Sequence, residues 1–319
     1  MKKTLVFCCI AMNDEMCGGS VNIHDEKHRK DIYFENAFVA LKSVKIHNSL
    51  CDVGLITNQS VPAKYDSLFK SHDINIWEVP FEEFVFSKKN KWHLAFYKLA
   101  SLKYAIDQLN YENYIQIDCD VVCISSLNSL IEDIKYRLVM LSGPYQFDHP
   151  TRKLLREINE YLTCVKKTDF NPYNQQKWGS GLIAGNTEIL RKFMSKCTDL
   201  YEALNDDSLP FYNKLGDEVI TSIAGEMMYE DLMDGKAYMN VYWTARHFYL
   251  VSTNYHFDKM CFLHLPDEKE NGIRRIYKKL INGIEFEQIN LQKILNLPST
   301  KAAFNLRLLM VKIKRRIFK

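Results

Sequence analysis

A chain of 319 residues suits one large domain or a core with a satellite, and its 47% hydrophobic residues can bury a sizeable interior. Only 12 glycines and 8 prolines, with 25% charged residues and no low-complexity tract, exclude collagen-like and disordered classes, and no apolar run approaches the roughly 20 residues that span a bilayer. The 42 Lys/Arg and 39 Asp/Glu give +3, but residues 301–319 hold seven of the bases and none of the acids, leaving residues 1–300 at −4; basicity confined to a tail argues against a general nucleic-acid binder.

The opening MKKTLVFCCIA has a basic start like a signal peptide, but its apolar stretch is short and the polar MNDEM follows at once. It reads as a first β-strand, apolar throughout as expected when both faces are covered. His24 to Asp31 is charged and reads as a mobile surface loop over a site. Between Tyr33 and Asn48 the residues Phe34, Ala37, Phe38, Leu41 and Val44 recur at helical spacing and predict an amphipathic helix. Asp52 to Thr57 and Ile74 to Val79 are short strands; a longer helix follows from about Trp92 to Gln108; Tyr114 to Ile117 is a fourth strand ending at Asp118. Helices are expected at Arg152–Leu162, Thr187–Leu204 and Asp217–Tyr229, with a small-residue turn at Gly179-Ser180-Gly181.

Strands alternating with helices predict an α/β fold with a mostly parallel sheet. Ligands then sit beyond the carboxyl ends of the strands, which directs attention to the loops after Ala11, Thr57 and Ile117. No linker or repeat divides the chain, so it reads as one domain over residues 1–270 with an extension over 271–319. The nine cysteines are odd in number and scattered, several within apolar runs, which favours a reducing cytoplasm. Cys119 and Cys123 lack a companion pair and make a poor zinc site, and Cys17-Gly-Gly-Ser20 lacks the Lys-Ser/Thr of a P-loop.

Tyr114-Ile-Gln-Ile-Asp118-Cys-Asp120 places two carboxylates two positions apart just after an apolar strand. Residues i and i+2 of an extended chain face the same side, so both acids can reach one hard cation. An ion held by only two carboxylates keeps open positions for substrate phosphates. Taken alone, such a pair is more often two solvated turn acids.

The segment running from Tyr97-Lys98-Leu99 to YENYIQIDCDVVCISSLNSL resembles the DxD region of GT-A glycosyltransferases, most closely family 8. Further resemblances follow in order: Trp178-Gly-Ser-Gly-Leu-Ile-Ala-Gly-Asn186, Gly216-Asp217-Glu218, Thr253-Asn254-Tyr255, and Phe262-Leu-His264-Leu-Pro-Asp-Glu-Lys269. Together they cover roughly residues 4–270. The resemblance implies a GT-A fold, a Rossmann-like sheet with helices on both faces, to which this chain adds a helical basic tail.

It also implies roles. Asp118, Asp120 and His264 would hold Mn²⁺ or Mg²⁺, with His264 on a late loop; otherwise His264 is a core histidine. Lys269 would face the departing diphosphate, or else be one charge of a solvated turn. Lys98 would reach donor sugar and phosphate, or snorkel from its helix. Asp217 would bind donor-sugar hydroxyls. Glu218 replaces a family Gln and is either a carboxylate nucleophile or base, or a solvated acid at a helix start. Gly179 stands where the family has a donor-contacting Asn. Ile10 stands where it has an Asp for the base; either the loop is shifted and Asn13 and Asp14 take over, with Ala11 beside them, or the base is read differently.

The implied activity is metal-dependent transfer of a hexose from a nucleotide-diphosphate sugar, UDP-linked, to a hydroxyl of a cell-surface glycan or lipopolysaccharide precursor, with retention of configuration. The partners are a UDP-hexose donor and a glycan or glycolipid acceptor, with no nucleic acid. Residues 304–319, FNLRLLMVKIKRRIFK, suit contact with an anionic membrane, which would place a cytoplasmic protein on the inner face of the cytoplasmic membrane; a helix packed on the domain is the alternative. A nucleotidyltransferase or a catalytically silent sugar-nucleotide binder are the competing functions.

Overall fold

A computed structural model describes residues 2–13, 23–143, 150–164, 176–244, 260–298 and 300–317. The expectations placed on Asp14, Cys17–Ser20 and Thr253–Tyr255 lie outside these residues. The chain forms two compact units, Met1–Gly19 with Cys51–Asp118 and Asn128–Lys236, and Ser20–Leu50 with Cys119–Leu127 and Ala237–Lys319.

The first unit contains strands β1 (Lys2–Ile10), β2 (Asp52–Thr57), β3 (Ile74–Glu78), β4 (Tyr111–Ile117), β6 (Leu138–Ser142), β7 (Trp178–Asn186) and β8 (Leu232–Asp234), and helices α2 (Ala63–Lys70), α3 (Tyr97–Gln108), α4 (Asn128–Asp133), α5 (Pro150–Cys164), α6 (Thr187–Leu204) and α7 (Asp217–Glu226). Its strands form one sheet in the order β3-β2-β1-β4-β7-β6-β8. The sheet is mostly parallel, as the alternation of elements requires, with β7 running antiparallel to both neighbours. α3 packs on β1 and β4, and α6 and α7 pack on β7.

Local chemistry fixes several of these elements. Asn186 caps α6, its side chain accepting from the Ile189 amide. At the middle of β2, Gly54 lets the Trp77 ring lie directly on the strand; a Cβ there would fall 2.1 Å from that ring. The helix expected from Trp92 begins as a 3₁₀ turn over His93–Phe96 before α3 proper. The helix at Asp217 stops at Glu226 rather than Tyr229.

The second unit holds α1 (Arg29–His47), β5 (Val121–Cys123), β9 (Met239–Val241), β10 (Phe262–His264), α8 (Gly272–Ile281), α9 (Leu291–Ile294) and α10 (Lys301–Ile317). Its three short strands pair in the order β5-β10-β9. α1 is not amphipathic as expected: every residue from Ile32 to Leu41 is buried, and the helix packs on β5 and α8. Arg274 of α8 pairs with Glu35 of α1 at 2.5 Å. The charged stretch His24–Asp31, expected as a mobile loop, instead leads through a 3₁₀ turn at Glu26–His28 into α1, with the His28 ring 3.0 Å from Asp25.

Val39, Val122, Leu263, Leu265, Ile273 and Ile276 belong to this unit's own apolar core. The tail is a helix, as expected, and Leu306, Leu309, Met310 and Ile313 are exposed along it at helical spacing.

Candidate active site

In the first unit, the carboxyl ends of the parallel strands carry the predicted loops. After β1, the Met12 peptide is held on both sides by Asn58, which follows β2: its Oδ1 accepts from the Met12 amide at 2.8 Å and its Nδ2 donates to the Met12 carbonyl at 2.7 Å. This fixes the backbone between Ala11 and Asn13. Ala11 is buried, and Asn13 reaches the His93 ring at 3.4 Å.

After β4, Asp118 follows a strand end whose register places Ile117 opposite Leu182, and its amide donates to the Gly181 carbonyl at 3.3 Å. Lys98 comes to it from the first turn of α3. The buried Gln116 of β4 donates to the Lys98 carbonyl at 2.9 Å and to Ser101 Oγ at 3.0 Å, locking that turn onto the strand. Lys98 Nζ then lies 2.5 Å from Asp118 and 3.8 Å from Asp217, the first residue of α7. Burial opposes the Lys98 charge, but Asp118 and Asp217 outweigh it and hold the ammonium well above the ordinary lysine range. Lys98 is thus held between two acids and does not extend into solvent from its helix.

Asp120 is placed by a different mechanism. β5 begins at the next residue and pairs antiparallel with β10, Val121 opposite His264, and the Leu265 amide donates to the Asp120 carbonyl at 2.9 Å. This ladder sets His264 Nε2 3.3 Å from the Asp120 carboxylate. His264 thus ends a strand, where a late loop was expected, because three residues are too few to show strand periodicity in sequence. A 3₁₀ turn over Pro266–Glu268 brings Lys269 onto the other Asp120 oxygen. Lys269 is buried in this ion pair, not a solvated turn charge. Burial pushes the Asp120 carboxyl up, but Lys269 and His264 hold it far below the usual carboxylate range.

Asp118, Asp120 and His264 each offer one ligand atom, all within 4.8 Å of one another. An octahedral ion with bonds of about 2.1 Å has adjacent ligand atoms about 3 Å apart and opposite ones about 4 Å apart, the spacing to which donors so grouped would close around it. Two hard carboxylates with one imidazole suit Mg²⁺ or Mn²⁺.

The adjacent acid Glu218 points elsewhere. It pairs with Lys177, which immediately precedes β7, and Gly179 lies under its other oxygen. No local sequence signal marks Lys177, whose partner lies in another element. Glu226, whose Oε1 accepts from the Trp178 indole at 3.0 Å, carries a weak sequence signal, a glutamate eight residues beyond Glu218 on one helix face.

No protein-family model and no curated protein matches the sequence. Among solved structures, the chain is similar to mouse xyloside xylosyltransferase 1 in its apo form, with 13% identity over 82% of this chain and 97% of that chain, at a TM-score of 0.50. The fold is one that a glycosyltransferase uses. WbbM, a bifunctional glycosyltransferase in its apo structure, matches at 12% identity over 82% of this chain and 45% of that chain, with a TM-score of 0.47, too loose a likeness to build on. At such identities the likeness speaks for the architecture alone. The chemistry has to come from the side chains.

Proposed function

We propose that this chain is a metal-dependent GT-A glycosyltransferase of family-8 type that transfers a hexose from a UDP-linked donor to a hydroxyl of a cell-surface glycan or lipopolysaccharide precursor. The observation that carries the reading is the ligand group of Asp118, Asp120 and His264, at the end of a buried strand in a fold shared with a glycosyltransferase. A divalent ion there supplies neutralisation of the donor diphosphate. Lys269 and Lys98, which now pair with the two acids, are the cations at hand for phosphate oxygens. Asp217 orients donor-sugar hydroxyls, and the backbone of Ala11 to Asn13, clamped by Asn58, receives the base.

In this reading Glu218 is the nucleophile. Its carboxylate oxygen attacks the anomeric carbon while the bond from that carbon to the diphosphate oxygen breaks, the electron pair leaving with the diphosphate. The acceptor hydroxyl oxygen then attacks the same carbon from the opposite face. The glycosyl ester bond breaks, its pair returns to Glu218, and the hydroxyl proton passes to the released diphosphate. Two inversions amount to retention.

The test is hydrolysis and transfer of a panel of sugar nucleotides with Mn²⁺, read by NMR for the anomeric configuration of the product, on the parent and on Glu218→Gln. Retained configuration, and loss of turnover in the variant of about 100-fold or more, support the reading. Full turnover in Glu218→Gln removes the nucleophile role, and an inverted product removes the two-step route.

A further inference from the structure

Glu218 does not stand alone at the start of α7. Two hydrogen bonds lock that helix onto β7: the Trp178 amide donates to Ser222 Oγ at 2.8 Å, and its indole to Glu226 Oε1 at 3.0 Å. Ser222 and Glu226 lie one and two turns beyond Glu218 on the same helix face. That register sets Glu218 beside the two neighbours of Trp178. Lys177 pairs with Glu218 Oε2, and a Cβ on Gly179 would lie 3.9 Å from Glu218 Oε1 and 3.4 Å from the Leu141 carbonyl.

The exposures differ in a telling way. The Lys177 side chain is 11% exposed, whereas Glu218 is 38% exposed. A largely buried ammonium thus holds a carboxylate that is still open to small molecules. Asp217 next to it has its own lysine, Lys98 of α3, so each acid of this helix start is matched to a different cation. Glycine at 179 leaves room for the Glu218 carboxylate. A single methyl there would make ordinary contact with it, and a branched side chain would reach into its place.

We infer that Lys177 is a positioning residue that keeps Glu218 aimed over the bare backbone of Gly179, the two together defining the slot in which that carboxylate works. The inference rests on the reading of Glu218 as the carboxylate that meets the donor. Lys177 is not what joins β7 to α7, because the Trp178, Ser222 and Glu226 bonds do that without it.

The experiment uses the full chain with Mn²⁺ and whichever UDP-hexose the parent turns over, comparing Lys177→Met, Lys177→Arg, Gly179→Ala and Gly179→Val. Lys177→Met should lower kcat about 100-fold with the donor KM within about threefold of the parent, the loss expected of a misplaced group rather than of lost binding. Lys177→Arg should recover at least tenfold of that loss, and Gly179→Val should lower kcat more than Gly179→Ala. A rise in KM with kcat unchanged would make Lys177 a donor contact and overturn the inference, as would absence of rescue by arginine or full activity of Lys177→Met.

The pairing itself is read without turnover by a denaturation cycle over Lys177→Met, Glu218→Gln and the double variant. The double variant should be more stable than the two single losses add up to, by at least about threefold in the folding constant. Additive losses overturn the pairing. A coupled cycle in a chain whose Glu218→Gln variant is fully active instead condemns the nucleophile reading and leaves the pair in place.

Discussion

Removing the charge of Asp120 should cost stability and chemistry by separable routes. Its side chain is 4% exposed and that of Lys269 is 9% exposed, so Asp120→Asn leaves an ammonium in a poorly hydrated place, with the Pro266 carbonyl 3.5 Å away. Breaking a buried ion pair from one side costs about 3–5 kcal/mol; because asparagine still accepts one hydrogen bond, the lower end applies, about 3 kcal/mol. Lys269→Met should cost about the same, since it leaves the Asp120 carboxylate with His264. Replacing both at once leaves no unpaired charge, so the double variant should lose less than either single one. The assay is equilibrium urea unfolding in EDTA, so that no metal contributes, with donor turnover in Mn²⁺ measured alongside. Turnover should be lost in all three. Single losses below about 0.5 kcal/mol that simply add would refute the buried pair.

Two other outcomes follow from the second unit. Burial pushes the Glu268 carboxyl up, only partly offset by the hydrogen bonds it accepts from Thr244 Oγ1 at 2.7 Å and the Gly272 amide at 3.0 Å. A carboxyl raised in the folded state contributes its stability below its unfolded value and loses it as pH rises through the folded one. The neutral variant Glu268→Gln, whose Oε1 can accept from the Gly272 amide while its Nε2 donates to Thr244 Oγ1, should therefore gain on the parent in thermal midpoint between about pH 4 and pH 7; a gap that stays constant or shrinks is inconsistent with this. The exposed stripe of Leu306, Leu309, Met310 and Ile313, in a segment with seven bases and no acids, should make the chain float with vesicles containing phosphatidylglycerol at low salt. Release by salt, and a weaker bond in Leu309→Glu/Ile313→Glu, are expected; equal flotation with neutral vesicles would leave the charge without a role.

Sequence patterns located elements whose signals are local. β2 spans the residues that its apolar run suggested, and α6 begins where Asn186 can cap it. The acid pair was visible because a strand end and two carboxylates lie within one short segment. Less visible was anything decided by distant pairing. β9 and β10 have three residues each and are strands only because they pair with each other and, for β10, with β5. That pairing carries His264 and Lys269 to Asp120, which is why His264 was expected on a loop. α1 was expected to show one apolar face because its polar residues look like a solvent side. Glu35 and Asn36 are nevertheless buried, Glu35 against Arg274 from a helix more than 200 positions later. Lys177 was missed for the same reason, its partner lying in another element.

The central claim is that the acid pair serves a metal-bound nucleotide. It is tested most directly by the thermal midpoint of the parent and of Asp118→Asn with UDP, GDP or CMP, each in Mn²⁺ or EDTA. A ligand at a hundred times its dissociation constant adds about 2.7 kcal/mol, several degrees for a chain of this size. UDP should stabilise the parent in Mn²⁺ alone, and Asp118→Asn should lose that shift. If no nucleotide moves the midpoint in any condition, or UDP does so equally in EDTA and in the variant, the metal-dependent reading is contradicted.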